Sequence, residues 1–85
     1  MKELLVELIT PQGKLFGEKA TAVTLPGVEG QFQVLHNHAA LVSALGIGLV
    51  KIKTSAGESR YNIDGGIVEV FANTVSIMAE RASEA

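Results

Sequence analysis

The sequence predicts an all-β fold: a small sandwich of short strands forming a single domain over residues 1–85. Three observations carry this. Short runs alternate apolar and polar residues with period two, turn residues separate them at about 8–12-residue spacing, and seven to ten such runs fit into the chain. Only the segment His38–Gly46 has helical character, and it is short and uncapped.

Taken in order, KELLVELIT places Leu4, Val6 and Leu8 on one face, while Leu5 and Ile9 leave the other face partly apolar. Pro11-Gln12-Gly13 makes a turn. KLFG is a brief second segment, and ATAVTL a third strand with Val23 and Leu25 on one face. Pro26-Gly27 breaks it, and LPGVEG reads as a hairpin turn with Glu29 at its tip. GQFQVL alternates strictly, Phe32 and Val34 inward, Gln31 and Gln33 outward. IGLVKIK is a strand with a basic end, SAGE a hairpin tip using Gly57 at positive φ, and SRYNI a strand pairing Tyr61 with Ile63. Gly65-Gly66 marks a bulge or a close backbone approach. GIVEVF and TVSIMA close the fold around a tight turn at Ala72-Asn73. The tail AERASEA has helical composition without an apolar stripe, and reads as a frayed end or the stub of something longer.

Composition excludes several classes. Apolar residues are 47% and charged residues 19%, ordinary for a folded domain and unlike a disordered chain. The net charge is −2, and Lys51 and Lys53 are the only close basic pair, so no nucleic-acid face is visible. There is no cysteine, hence no disulfide or thiolate chemistry. Glu3 and Glu7 interrupt the N-terminal apolar run, which argues against a signal peptide, and no run approaches a membrane span. The expectation is a soluble domain of cytosolic type.

The stretch LPGVEGQFQVLHNHAAL holds the most unusual chemistry. His36 and His38 share a face if the segment is extended, and could bind zinc if two more ligands arrived, but no cysteine helps and Glu29 lies across a strand. The letters H-N-H match the name of a nuclease motif whose residues are spread over a long metal-binding unit; the match is accidental. Gly27 and Gly30 suggest a phosphate loop, yet a strand follows them instead of a helix and no Lys-Ser/Thr is present. Asp64, His38 and Ser43 could make a nucleophilic set, but nothing in the sequence brings them together, and Asp64 reads as a turn residue. No catalytic, cofactor-binding or metal residues are assigned. The residues favour binding or assembly.

Read together, L-x-x-x-I-T-P-x-G-x-L-F at residues 5–16, LPGVEGQFQVLHNHAALVSAL and D-G-G-I-V-E-V at 64–70 give a chain that resembles the epsilon subunit of F-type ATP synthase over essentially its whole length. The resemblance implies the N-terminal domain of that family, a two-sheet β-sandwich of about ten strands, without the C-terminal helical pair that many members carry. It implies a non-catalytic rotor subunit between the gamma subunit and the c ring, without cofactor. Its place would be the cytoplasmic face of the bacterial plasma membrane, reached through the complex. The family's gamma-facing positions fall on Thr10, His38 and Ser43, and its ring-facing loop on Gly27, Glu29, Gly30 and Gln31.

Two departures stand out. The family's usual P-G-H-A-P-L is here His36-Asn37-His38-Ala39-Ala40-Leu41, which removes two prolines and a glycine and alters loop stiffness. His36 is then a turn filler. The chain also stops at Ala85, as a short or shortened form that would couple and assemble without inhibiting ATP hydrolysis by insertion. The rival readings are a free-standing β-sandwich adaptor for a peptide or small ligand, and a metalloprotein built on the two histidines.

Overall fold

The computed structural model describes residues 2–85 and contains eight strands there: β1 (Leu4–Thr10), β2 (Gly13–Ala20), β3 (Ala22–Gly27), β4 (Gly30–Leu35), β5 (Leu41–Thr54), β6 (Gly57–Phe71), β7 (Thr74–Ala79) and β8 (Ala82–Glu84). They form one hydrogen-bonded sheet in the order β2-β1-β7-β6-β5-β3-β4, with β8 added to β6. All contacts are antiparallel except β1 with β7, which run parallel.

This single sheet doubles over to make the sandwich. The long hairpin β5–β6 passes through both layers, and its inward-facing residues change parity on the way. Leu45 in β5 and Val68 and Val70 in β6 are buried on one side; Val50 and Ile52, with Tyr61 and Ile63, are buried on the other. Odd becomes even in β5 where even becomes odd in β6, so the pairing Leu45↔Gly66, Ile47↔Asp64, Val50↔Tyr61 stays in step. The change falls at Gly46, Gly48, Gly65 and Gly66. Gly65 and Gly66 have φ of 102° and 156°, and a Cβ on Gly66 would lie 2.3 Å from the Met78 carbonyl oxygen. The Gly65-Gly66 pair thus is the expected close approach, and it lets the chain turn from one layer to the other.

One layer contains β2, β1, β7, the second half of β6 and the first half of β5. The other contains the rest of the hairpin with β3, β4 and β8. Between them lie Leu4, Val6, Leu8, Val23, Leu25, Val34 and Ile77, all essentially inaccessible to solvent. Across the gap the ring of Phe16 meets that of Tyr61 edge-on, centroids 6.3 Å apart, and the Tyr61 hydroxyl donates to the Leu15 carbonyl.

The all-β sandwich and the faces expected for Leu4/Val6/Leu8, Val23/Leu25 and Tyr61/Ile63 are present. The strands number eight because β5 and β6 run continuously where shorter segments were expected. Three local readings are corrected. His38–Gly46 is not helical: from Leu41 it is strand, held by thirteen-residue pairing along β6 that local propensity does not see. The tail is not frayed, since Ala82–Glu84 pairs with Tyr61–Ile63. Asp64 sits within β6, its N–H donating to the Arg81 carbonyl, so it is a strand residue and not a turn former.

Candidate functional site: one tip and one open sheet face

The ring-facing residues expected from the sequence converge on one tip. Gly27 pairs with Gly30 around the Val28-Glu29 turn, and Gln31 pairs with Pro26. Gly30 has φ of 130°, and a Cβ on Gly27 would lie 2.7 Å from the Gly30 carbonyl and 2.9 Å from the Phe32 ring, so both glycines are required by the backbone. The Val28 N–H donates to the Ala44 carbonyl, fixing the tip to β5. Glu29 and Gln31 are exposed there.

Thr10, His38 and Ser43 do not converge. Thr10 is buried at the end of β1, where its Oγ1 accepts from the Gln12 N–H at 3.2 Å and donates to the Gly13 carbonyl at 3.3 Å. Its side chain is therefore committed to the Pro11-Gln12 turn. His38 lies past the other end of the layer, beyond the start of β5, roughly 20 Å away by strand rise. Its Nδ1–H donates to the Ala39 carbonyl at 2.7 Å. Ser43 pairs with the buried Val68, on the inward side of β5.

The histidine loop is ordered by one turn and by side-chain hydrogen bonds. The His38 N–H closes a turn on the Leu35 carbonyl, with Asn37 at φ 65°, a value asparagine tolerates where the family pattern has glycine. The Asn37 N–H donates to Asn73 Oδ1 at 2.6 Å, and Asn73 Nδ2 donates back to Asn37 Oδ1 at 3.3 Å. Two side-chain bonds thus tie the loop to the β6–β7 turn. His36 occupies a turn position, as expected, and the turn removes the extended geometry that would have placed both imidazoles on one face. Among the described residues, no group of three or more His, Cys, Asp or Glu side chains converges as a metal site, and no helix is long and apolar enough to cross a membrane.

The largest exposed apolar feature is the outer face of the layer containing β1. Register places its residues in rows. Ile9, Met78, Ile67 and Ala44 form one row; Glu7, Ser76, Glu69 and Val42 the next; Leu5, Thr74 and Phe71 the third. Among the described residues, five of the nine exposed large apolar side chains lie here (Leu5, Val42, Ile67, Phe71 and Met78), so the exposure is clustered and not scattered. At its Pro11 end is a depression of about 430 Å³ lined by Ile9, Ile67 and Met78. The sequence reading found only the Leu5/Ile9 edge. The signal for the rest was present in GIVEVF, which is apolar on both faces: Val68 and Val70 inward, Ile67 and Phe71 outward.

Comparison with known proteins accords with this architecture. The family model described as "ATP synthase, Delta/Epsilon chain, beta-sandwich domain" matches residues 3–85. The ATP synthase epsilon chain of Campylobacter fetus is 41% identical over 83 residues, covering 96% of this chain and 64% of the relative. That of Pelotomaculum thermopropionicum is 38% identical over 80 residues, covering 94% and 60%. This chain thus spans about three fifths of the length of the curated relatives it matches. Among solved structures, a chain in the Euglena gracilis mitochondrial ATP synthase superposes with a TM-score of 0.91 at 25% identity, over 99% of this chain and 54% of that one. A chain in the Tetrahymena thermophila mitochondrial ATP synthase central stalk and c-ring superposes at 0.79 and 22% identity, over 98% and 66%, a likeness of fold. With its sandwich, its Pro-Gly tip and this match from Glu3 to Ala85, the chain belongs to the ATP synthase delta/epsilon family, as its β-sandwich domain.

Proposed function

We propose that this domain is the rotor-foot module of an F-type ATP synthase epsilon subunit: non-catalytic, docked on the gamma subunit, and touching the c ring through the Gly27–Gln31 tip. Its place is then the cytoplasmic face of a bacterial plasma membrane, through the complex. The observation that carries the reading is an exposed face with clustered apolar residues, Leu5, Val42, Ile67, Phe71 and Met78, on a chain of this family.

The physical roles differ between the two surfaces. The outer face offers apolar area, which gives most of the affinity of protein association. The tip offers Glu29 and Gln31, whose individual exposed contacts contribute only about 0–1 kcal/mol each. A close-packed sandwich between them passes torque with little deformation. Thr10 supports the docking face by holding its adjoining turn, while His38 lies beyond the start of β5 and Ser43 on the inward side of that strand, away from the outer face.

Affinity purification of the tagged chain from its native cells tests the assignment: gamma and c-ring subunits should accompany it. A free-standing adaptor would bring neither while the complex is present. On the purified pair, Ile67→Asp should weaken gamma binding by at least about tenfold, since it places a carboxylate in covered apolar surface. Its circular dichroism should match wild type, because Ile67 is half exposed.

A further inference from the structure

We propose that Glu69 is the specificity-determining residue of the outer face, reading one lysine or arginine on an apolar helical surface of the gamma subunit; this rests on the docking assignment above. The face carries two carboxylates in its middle row, Glu7 and Glu69, and among the described residues only Glu7 has a cation beside it. Lys14 Nζ lies 3.4 Å from Glu7 Oε2. It reaches there by crossing Gly17, where a Cβ would lie 3.0 Å from Lys14 Cδ. Glu69 has no such partner among the described residues. Its cross-strand neighbours are Ser76 and Val42, and along β6 its outward neighbours are Ile67 and Phe71. Among the described residues, no cation faces it from either neighbouring strand.

Any partner that covers Ile67 and Phe71 must also cover the carboxylate between them. Desolvating an ionised carboxylate without a counter-charge is unfavourable, and Ser76 supplies no charge. The partner therefore brings the cation. The dimensions indicate the shape of what carries it. Three rows two residues apart span about 14 Å along the strands, and four strands about 14 Å across them, close to the footprint of one helix about 10–12 Å wide. A helix laid across the strands would set apolar side chains on the Ile67 and Phe71 rows and a cation over the row between.

Calorimetric titration of the purified gamma subunit from the same organism with wild type, Glu69→Gln and Glu69→Arg, at low and high salt, tests this. The expected result is about tenfold weaker binding for Glu69→Gln and about a hundredfold for Glu69→Arg, with wild-type affinity falling as salt rises and Glu69→Gln losing part of that dependence. Unchanged affinity and salt response in both variants, with wild type still binding, would overturn the role of Glu69 while the docking assignment stands. If wild type itself does not bind gamma, the docking assignment fails and this inference with it. Self-association of wild type in sedimentation, abolished by Glu69→Arg, would assign the face to a second copy instead.

Discussion

Tyr61 shows how much one side chain contributes to this domain. It is 7% exposed, stands edge-on to Phe16, and donates its hydroxyl to the Leu15 carbonyl across the sandwich. Burial, and then the nearby carboxylates of Glu84 and Glu18, push its phenol above the usual tyrosine range. The folded state therefore holds the proton more tightly than the unfolded chain. The resulting stability is fully present below the unfolded pKa, about 10, and is lost as pH rises through the higher folded value. Tyr61→Phe should cost about 0.5–1.5 kcal/mol at neutral pH through the lost hydrogen bond. In urea titrations the difference between the two proteins should narrow above about pH 10, where only wild type has a phenol to ionise. A gap that stays constant from pH 7 to 11 would show that the phenol is not held as described.

Between elements, the decisive place is the corner of the β5–β6 hairpin. Gly66→Ala should destabilise by about 2–4 kcal/mol, because its Cβ would collide with the Met78 backbone and its φ suits glycine. Gly57→Ala is the informative comparison, since its φ is also positive but its surroundings are open; a smaller loss there, by thermal unfolding, separates collision from backbone strain. Much at this scale was legible beforehand. The turns expected at Pro11-Gln12 and Ala72-Asn73 form where their residues demand them, and Ala72 and Asn73 both take positive φ as a tight hairpin requires; Glu29 sits at a hairpin tip as expected, but β3 continues through Pro26-Gly27 instead of breaking there. What was not legible depended on partners distant in sequence. Leu41–Gly46 becomes strand because Gly66–Val70 lies beside it, and Ala82–Glu84 because Tyr61–Ile63 presents an edge. Likewise, the hairpin tip at Gly27–Gln31 could be read from neighbouring letters. The exposed apolar face could not, because its rows draw residues from strands distant in sequence: β1, β7, β6 and, in two rows, β5.

The whole molecule is organised by long-range pairing. The parallel contact of β1 with β7 joins Leu5 to Thr74 and Ile9 to Met78, nearly the two ends of the chain. Non-local topology of this kind folds slowly, because loop entropy is lost before the contacts form. Stopped-flow refolding should accordingly give a time constant on the order of milliseconds to seconds, and a microsecond phase accounting for the full amplitude would contradict the topology. The ordering also distinguishes the two proposed surfaces: the tip projects from the β3–β4 hairpin, while the apolar face spans β1, β7, β6 and β5, and the two adjoin where the Val28 N–H donates to the Ala44 carbonyl.

The matched change of parity in β5 and β6 has a consequence for how such a chain can vary. Composition along the hairpin is open to exchange wherever size and polarity are kept. Length is not. Deleting one residue from β5 beyond Gly46 would send Val50 and Ile52 to the solvent side and bring Leu49 and Lys51 inward, turning half the molecule inside out. Insertions and deletions in this hairpin keep the faces in place only as compensated pairs, one in each strand at the same level, so the count of residues between corner and tip is more tightly constrained by the fold than the residues themselves.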